Sequence, residues 1–474
     1  MLEEIINERK QKLNKIVAGG HNPYPAVVKR THTTAEVLKD FGKLSTSRKR
    51  ISIVGRVMSL RDQGNIIFAD VKDGSGKLQV ILSKKETKGF ADLKKTLDIG
   101  DFIEAGGGVL KTKKGEKSVQ SASARIIVKA ILPLPSEYYG VEDPETILRK
   151  RYLDLTLSDE IRDLFIKKSV FWQSFREFLI KENFLEVETP VLEATPGGAE
   201  AEPFKTHHNA LDEDFYLRIS LEITLKKLLV GGYERVFEIG RIFRNEGMDA
   251  EHLQDYTQLE FYWAYADYNE LMKFVRKMYL HVIKQTFGNR PEWTKPWKKV
   301  SYCDAFKKEN KLDPLTCSVD DLRKRARELG LKFEPYAEKG RLIDLIFKKT
   351  VRPKLTAPSF LIDPPVFVES LAKRSSKNPL IVERFQVMAY GTELGKGFSE
   401  LNDPADQRAR FEEQMKLREK GDTEAQRLDE EFIEALSYGM PPATGFGVSE
   451  RLFSVIAGRP IRETVFFPPM KRRR

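Results

Sequence analysis

The sequence predicts an α+β protein of two domains, a small five-stranded β-barrel followed by a large domain whose mostly antiparallel sheet packs on helices. Three observations predict it. At 474 residues the chain is too long for a single hydrophobic core. Between residues 49 and 135, apolar and polar residues alternate in short runs separated by glycine turns, the period of half-buried strands. Beyond residue 158, helical stripes are interleaved with hairpin-like strand pairs and no βαβ repeat, which favours an antiparallel sheet.

Composition narrows the class. The chain is 41% hydrophobic and 32% charged, the balance of an ordinary globular protein. No apolar run approaches the ~18–20 residues that cross a bilayer, and "MLEEIINERKQKLNKIV" lacks an apolar signal core. Cys303 and Cys317 are too few for a disulfide framework and form no CxxC spacing. A cytoplasmic protein with no membrane partner is expected. The 81 basic and 70 acidic residues leave a net charge of +11. That suits a polyanionic partner such as nucleic acid, although on charge alone a basic soluble enzyme fits equally well.

Residues 1–48 read as a helical arm and a polar linker. In 49–135, "RKRISIVGRVMSLRDQGNIIFADVKDGSGKLQVIL", "DFIEAGGGVL" and "SVQSASARIIVKAILPLP" supply five short strands, a count that suggests an OB-fold, the oligonucleotide-binding barrel. Phe68 on one strand, Gln79 on its neighbour and Arg61 close by favour a binding role. An aromatic ring beside polar groups is how an unstacked base is held and read. "PLPSEYYGVEDPE" marks a linker, and residues 136–474 form the large domain with a helix-rich insertion at about 303–384. Within it, "SDEIRDLFIKKSVFWQSFREFLIKENF" is an amphipathic helix capped by Ser158. A strand "FLEVETPVL", a helix "LEITLKKLLVGG", the pair "RVFEIGRIFRNE" and "YTQLEFYWAYAD", a helix from Asn269 and a charged helix over 404–437 follow.

Chemistry-bearing residues fall in three clusters. In "RIFRNEGMDAEHLQDYTQLEFYW", alternation puts Arg244 and Glu246 on one strand face and Glu260 and Tyr262 on one face of the returning strand. The loop between them holds His252 and then Tyr256. Arginine grips phosphate or carboxylate bidentately, so a nucleotide site without a P-loop is possible. A solvated hairpin with cross-strand ion pairs is the blander reading and, for this cluster alone, the favoured one. In "YGTELGKGFSELND", Glu393 and Glu400 sit among glycines that permit close backbone approach, and carboxylates near a triphosphate are natural Mg²⁺ ligands. "TGFGVSERLF" sets Arg451 at the start of an apolar helix.

In this order the clusters resemble the class II aminoacyl-tRNA synthetases, and specifically the bacterial-type lysyl-tRNA synthetase family, over nearly the whole chain. The helix with "FLEVETPVL" resembles motif 1, "FRNEGMDAEHLQDYTQLE" motif 2 and "GFGVSERL" motif 3. "PGGAEAEPFKTHHNALD", "YLRIS", "GFSELNDP" and "VGRVMSLRDQGNIIFADVKDGSGKLQV" are closely similar to the lysine enzymes. The resemblance implies the class II synthetase fold, a homodimer with Pro190 at its interface, and ATP, L-lysine, Mg²⁺ and tRNA(Lys) as ligands. It implies that Arg244 grips the α-phosphate and the lysine carboxylate, with Glu246 at the adenosine, His252 near the outer phosphates, and Tyr256 and Arg451 on the two faces of adenine. Gly198 and Glu222 would hold the α-amino group. Glu260, Tyr262 and Glu400 would line the side-chain pocket, Glu400 meeting the ε-ammonium. Glu393 would bind Mg²⁺, and Arg61, Phe68 and Gln79 would read the anticodon.

The chain departs from the family at several positions. Gln386 stands where a second metal carboxylate is expected, and Lys396 replaces an Asn near the amino-acid carboxylate. Glu251 replaces a phosphate-facing Arg, Val448-Ser449 replace a glycine pattern, and Leu60 stands for an arginine. A synthetase for aspartate or asparagine would need a basic residue at Glu400.

Overall fold

The computed structural model describes residues 2–135, 143–247 and 252–471. Glu251 and most of the linker, residues 136–142, therefore lie outside the described residues. The chain divides into two compact units, Met1–Glu142 and Asp143–Arg474.

In the first unit, β1 (Ile51–Asp62), β2 (Ile66–Lys72), β3 (Lys77–Ser83), β4 (Phe102–Lys111) and β5 (Lys117–Val128) close into a barrel in the order β1-β2-β3-β5-β4. Alternation does what it should: Val57, Val71, Val80, Ile103 and Val119 are fully inside. Closure forces strands together at one place. A Cβ on Gly107 would lie 1.9 Å from the Gln120 carbonyl oxygen, beside a register shift between β4 and β5. Only glycine fits there. The amino-terminal helix Leu2–Ala18 is fastened to the barrel through Arg9, which donates to the carbonyls of Ile99, Ala130 and Leu132.

The second unit is built on β6 (Leu185–Glu186), β7 (Leu192–Glu193), β8 (Lys205–His208), β9 (Glu213–Leu217), β10 (Arg235–Phe243), β11 (Asp255–Ala264), β12 (Lys298–Ser301), β13 (Ser359–Ile362), β14 (Arg384–Ala389), β15 (Thr392–Ser399) and β16 (Ala443–Ser449). Eight of these form one sheet, β12-β13-β14-β15-β16-β11-β10-β6, antiparallel except at β12–β13 and β10–β6. The expected α+β architecture is present. Helices Asp159–Lys181 and Tyr268–Phe287 cover one face, where Phe171, Phe175, Tyr279 and Phe446 interlock edge to face and Phe261 packs at a tilt on Phe446. Leu259 and Phe261 of β11 point into that core, so alternation turns Glu260 and Tyr262 to the other face. The second face is where the charged side chains gather.

Two local expectations change. "FLEVETPVL" makes only the short strands β6 and β7, because Pro190 interrupts the ladder and Thr189 bonds the Glu238 carboxylate instead (2.7 Å). The charged run over 404–437 is two helices, Pro404–Glu419 and Glu430–Ser437, with Gly421 at φ +110° between them and Asp429 capping the second. In the 303–384 region, the helices Tyr302–Asn310, Val319–Glu328 and Lys339–Thr350 share their own core, while β13 returns to the main sheet.

Candidate functional site

Strand β10 ends at Phe243, so Arg244 and Glu246 lie just beyond it rather than on it. Arg244 is still held by a ladder-like bond from its backbone N–H to Gln254 O (2.8 Å), and its Nε donates to Ile219 O (3.2 Å). The guanidinium stands 5.7 Å from the Tyr256 ring centroid. Burial raises the Tyr256 phenol above its ordinary value, opposed by the charges of Arg244 and Arg451, so these three residues share one region. Arg451 opens the helix Arg451–Ala457 immediately after β16. Beside Glu246, a cavity of about 450 Å³ is lined also by Phe204, Gln254 and Asp255. His252 is half-buried in the connecting loop.

A cluster of buried carboxylates lies on the same sheet face. Glu260 is fully satisfied: its Oε1 accepts from Ser220 Oγ (2.7 Å), Leu221 N–H (3.1 Å) and Gln258 Nε2 (2.6 Å), and its Oε2 from Tyr262 OH (2.9 Å). It fixes Tyr262 in the pocket wall. Gly198, at φ +82°, passes so close that a Cβ would lie 2.9 Å from the Cβ atoms of both Ser220 and Glu222. Glu222 begins the helix Glu222–Val230, and Glu400 follows the end of β15. Both are buried, Glu400 at 1% exposure, and Glu400 Oε1 has no hydrogen-bond partner among the described residues. Gly445, directly opposite Tyr262 on β16, leaves the space into which Glu400 Oε1 projects.

Sequence reasoning missed the cation in this pocket. Lys226, fully buried, donates to Glu222 Oε1 (2.5 Å) and pairs with Glu400 Oε2. The i,i+4 spacing from Glu222 was a visible signal, but the adjacent Lys227 offered a second cation and Glu400 is far away in sequence. Burial pushes the carboxyls of Glu222 and Glu400 upward, and Lys226 is the largest influence against it. Also missed were Arg218 and Glu238, a buried pair at 2.7 Å that ties β10 to the strand before Ser220. The Lys168–Glu450 pair, which anchors the start of the Arg451 helix, was missed as well.

At the other end of β15, Gln386 Nε2 donates to Glu393 Oε2 (2.5 Å). Lys396, opposite Gln386 in register, donates to Glu369 (3.0 Å), which Arg384 also reaches (3.3 Å). Among the described residues there is no group of three or more His, Cys, Asp or Glu side chains placed to hold a metal ion. One carboxylate and one amide oxygen nevertheless fit Mg²⁺ of the kind bound chiefly through phosphates and water.

In the barrel, Arg61 and Phe68 are cross-strand partners, with the guanidinium 5.7 Å from the ring centroid. Gln79 pairs with Asp70 on the same face and accepts from Ser118 Oγ (3.0 Å). The register therefore puts the three on one face of the sheet, with Arg61 exposed, Phe68 partly exposed and Gln79 buried.

Residues 143–471 match the family model for class II tRNA synthetases (D, K and N), and residues 51–127 match an OB-fold nucleic acid binding domain. The lysine--tRNA ligase of Moorella thermoacetica is 41% identical over 99% of this chain and 98% of its own length. Those of Dehalococcoides mccartyi and Clostridium perfringens are also 41% identical, over 100% and 98% of this chain and 99% and 95% of their own. Similarity of this extent, over both units, makes the chain a member of the class II tRNA synthetases and, within them, of the lysine--tRNA ligase family.

Proposed function

We propose that the chain activates L-lysine with ATP and transfers the lysyl group to the 3′-end of tRNA(Lys). The observation that carries this reading is the buried Glu400 carboxylate, with an unbonded oxygen beside Tyr262 and Gly445, in a chain similar throughout to lysine--tRNA ligases. A pocket built around a buried anion rejects neutral side chains, because they would leave that charge unpaired.

In the first step a lysine carboxylate oxygen attacks the α-phosphorus of ATP in line, forming lysyl-adenylate and releasing pyrophosphate. In the second, the tRNA's terminal 3′-hydroxyl attacks the acyl carbon, the ester forms and AMP leaves. Arg244 neutralises the α-phosphate and the lysine carboxylate as they approach, and Arg451 and Tyr256 hold adenine between them. Glu246 positions the adenosine and His252 the outer phosphates. Gly198 and Glu222 receive the α-amino group, while Glu260 orients Tyr262 against the side chain. Lys396 draws the carboxylate end of the substrate from its station on Glu369. Catalysis of this kind is positioning and charge neutralisation and needs no general base. Glu393 with Gln386 would hold Mg²⁺, which when bound supplies charge neutralisation at the phosphates.

Residues 49–135 are assigned to anticodon binding through Arg61, Phe68 and Gln79, and residues 136–474 to catalysis. A cytoplasmic homodimer is in keeping with the motif 1 segment, where Leu185, Val191 and Leu192 are exposed. Lysine-dependent ATP–pyrophosphate exchange tests the reading, with aspartate, asparagine, ornithine and arginine alongside. Exchange with lysine that collapses in Glu400→Gln is expected; equal exchange with aspartate or asparagine would overturn it.

A further inference from the structure

Lys226 has no part in the steps above, yet it is the best-enclosed cation near the pocket. It sits one helical turn after Glu222, bridges Glu222 and Glu400, and has the rings of Phe398 and Phe432 at 5.4 and 5.9 Å from its Nζ. An unpaired carboxylate buried this deeply would take up a proton rather than stay charged. Glu260 is stabilised by four hydrogen bonds, whereas among the described residues Glu400 Oε1 has no partner and Oε2 meets only Lys226. Lys226 is the cation in direct contact with Glu400. Glu222 and Glu400 share the single ammonium of Lys226, so the three groups together keep one net negative charge, the sign that complements an added ammonium.

We infer that Lys226 is a specificity-determining positioning residue, whose ammonium keeps Glu222 and Glu400 ionised and aimed so that the pocket's charge complements lysine. It acts through the two carboxylates and does not touch the substrate. The inference rests on the lysine-activating reading above. Glu260, Glu369 and Lys396 also bear on these carboxylates, and each remains in place when Lys226 alone is changed.

The test measures lysine-dependent exchange from about pH 6 to about pH 9 in the full-length chain and in Lys226→Met. Without the ammonium the carboxyls ionise at higher pH. Lysine KM should therefore rise about tenfold at neutral pH for each unit of that displacement and recover as pH increases. The KM for ATP should stay within about twofold. A lysine KM profile that overlays the wild type would overturn the inference. If Lys226→Met does not fold, Lys226→Met with Glu222→Gln removes one of the two carboxylates along with the ammonium and so leaves less uncompensated charge. Its profile is compared with that of Glu222→Gln alone: an upward displacement supports the role of Lys226, and superimposable profiles refute it. Absence of any lysine-dependent exchange in the wild type would sink the functional reading itself, an outcome distinct from overlapping profiles.

Discussion

Replacing Gly445 with alanine probes the pocket with a single methyl group. Gly445 faces Tyr262 across the β11–β16 ladder, and the added Cβ would lie 2.3 Å from Glu400 Oε1 and 2.4 Å from Tyr262 Cε1. Ordinary contacts of this kind are about 3.5–4.0 Å, so one or both groups must retreat by roughly 1 Å. Neither has room, since both are buried. Displacing a binding group by about 1 Å costs on the order of 100-fold, about 2.7 kcal/mol, in kcat/KM for lysine. Overpacking should also lower stability by about 1–3 kcal/mol. Pyrophosphate exchange gives lysine and ATP parameters separately, and thermal unfolding confirms that the variant is folded. Gly447→Ala is the matched control, because its Cβ would meet Glu260 at an ordinary 3.5 Å. Lysine kcat/KM in Gly445→Ala within about threefold of the wild type would refute the pocket geometry.

Two further outcomes are expected. Asp73 caps the helix Thr34–Lys39 region from the β2–β3 turn, accepting from Thr34, Ser75 and Gly76 and pairing with Arg30. Burial pushes its carboxyl up, but the hydrogen bonds outweigh this and bring it down to about 2. A depressed folded value means stability that is present above the ordinary carboxyl range and lost as pH falls through about 2. Asp73→Asn should therefore cost about 1 kcal/mol at neutral pH, after allowance for solvent screening. That difference should vanish in acid unfolding between about pH 4 and pH 2, and a pH-independent difference would contradict the assignment. Gln386→Glu sets a second carboxylate 2.5 Å from Glu393. Its thermal midpoint should fall without divalent ions and recover with Mg²⁺ and ATP more than the wild type does. An unchanged midpoint in both conditions would remove Gln386 from the metal position.

Much of this was legible in sequence because it depends on period. Alternation in "YTQLEFYW" sent Leu259 and Phe261 to the core and Glu260 and Tyr262 to the opposite face, and a 3.6-residue stripe buried Phe171, Phe175 and Phe178. What stayed hidden depends on partners remote in sequence. That Lys226 rather than Lys227 meets a second carboxylate is visible only with Glu400, just beyond β15, in place. That Glu260 also braces its surroundings is seen only when its four donors, drawn from residues 220, 221, 258 and 262, are in view. Arg244 reads as a strand residue because alternation does not announce where pairing stops. The single charged helix over 404–437 failed at Gly421, whose positive φ was not visible in a run otherwise favourable to helix.

The triplet Gly106-Gly107-Gly108 in β4 carries a lesson about mutational tolerance. At Gly108 a Cβ would meet nothing within 4 Å, whereas at Gly107 it would collide with the Gln120 backbone. Every single-base change in a glycine codon that still encodes an amino acid other than glycine adds a Cβ. Two adjacent, chemically identical residues thus face opposite selection, one free to drift and the other locked by a neighbouring carbonyl. Invariance at Gly107 among relatives would testify to how the barrel closes and carry no information about which RNA it reads.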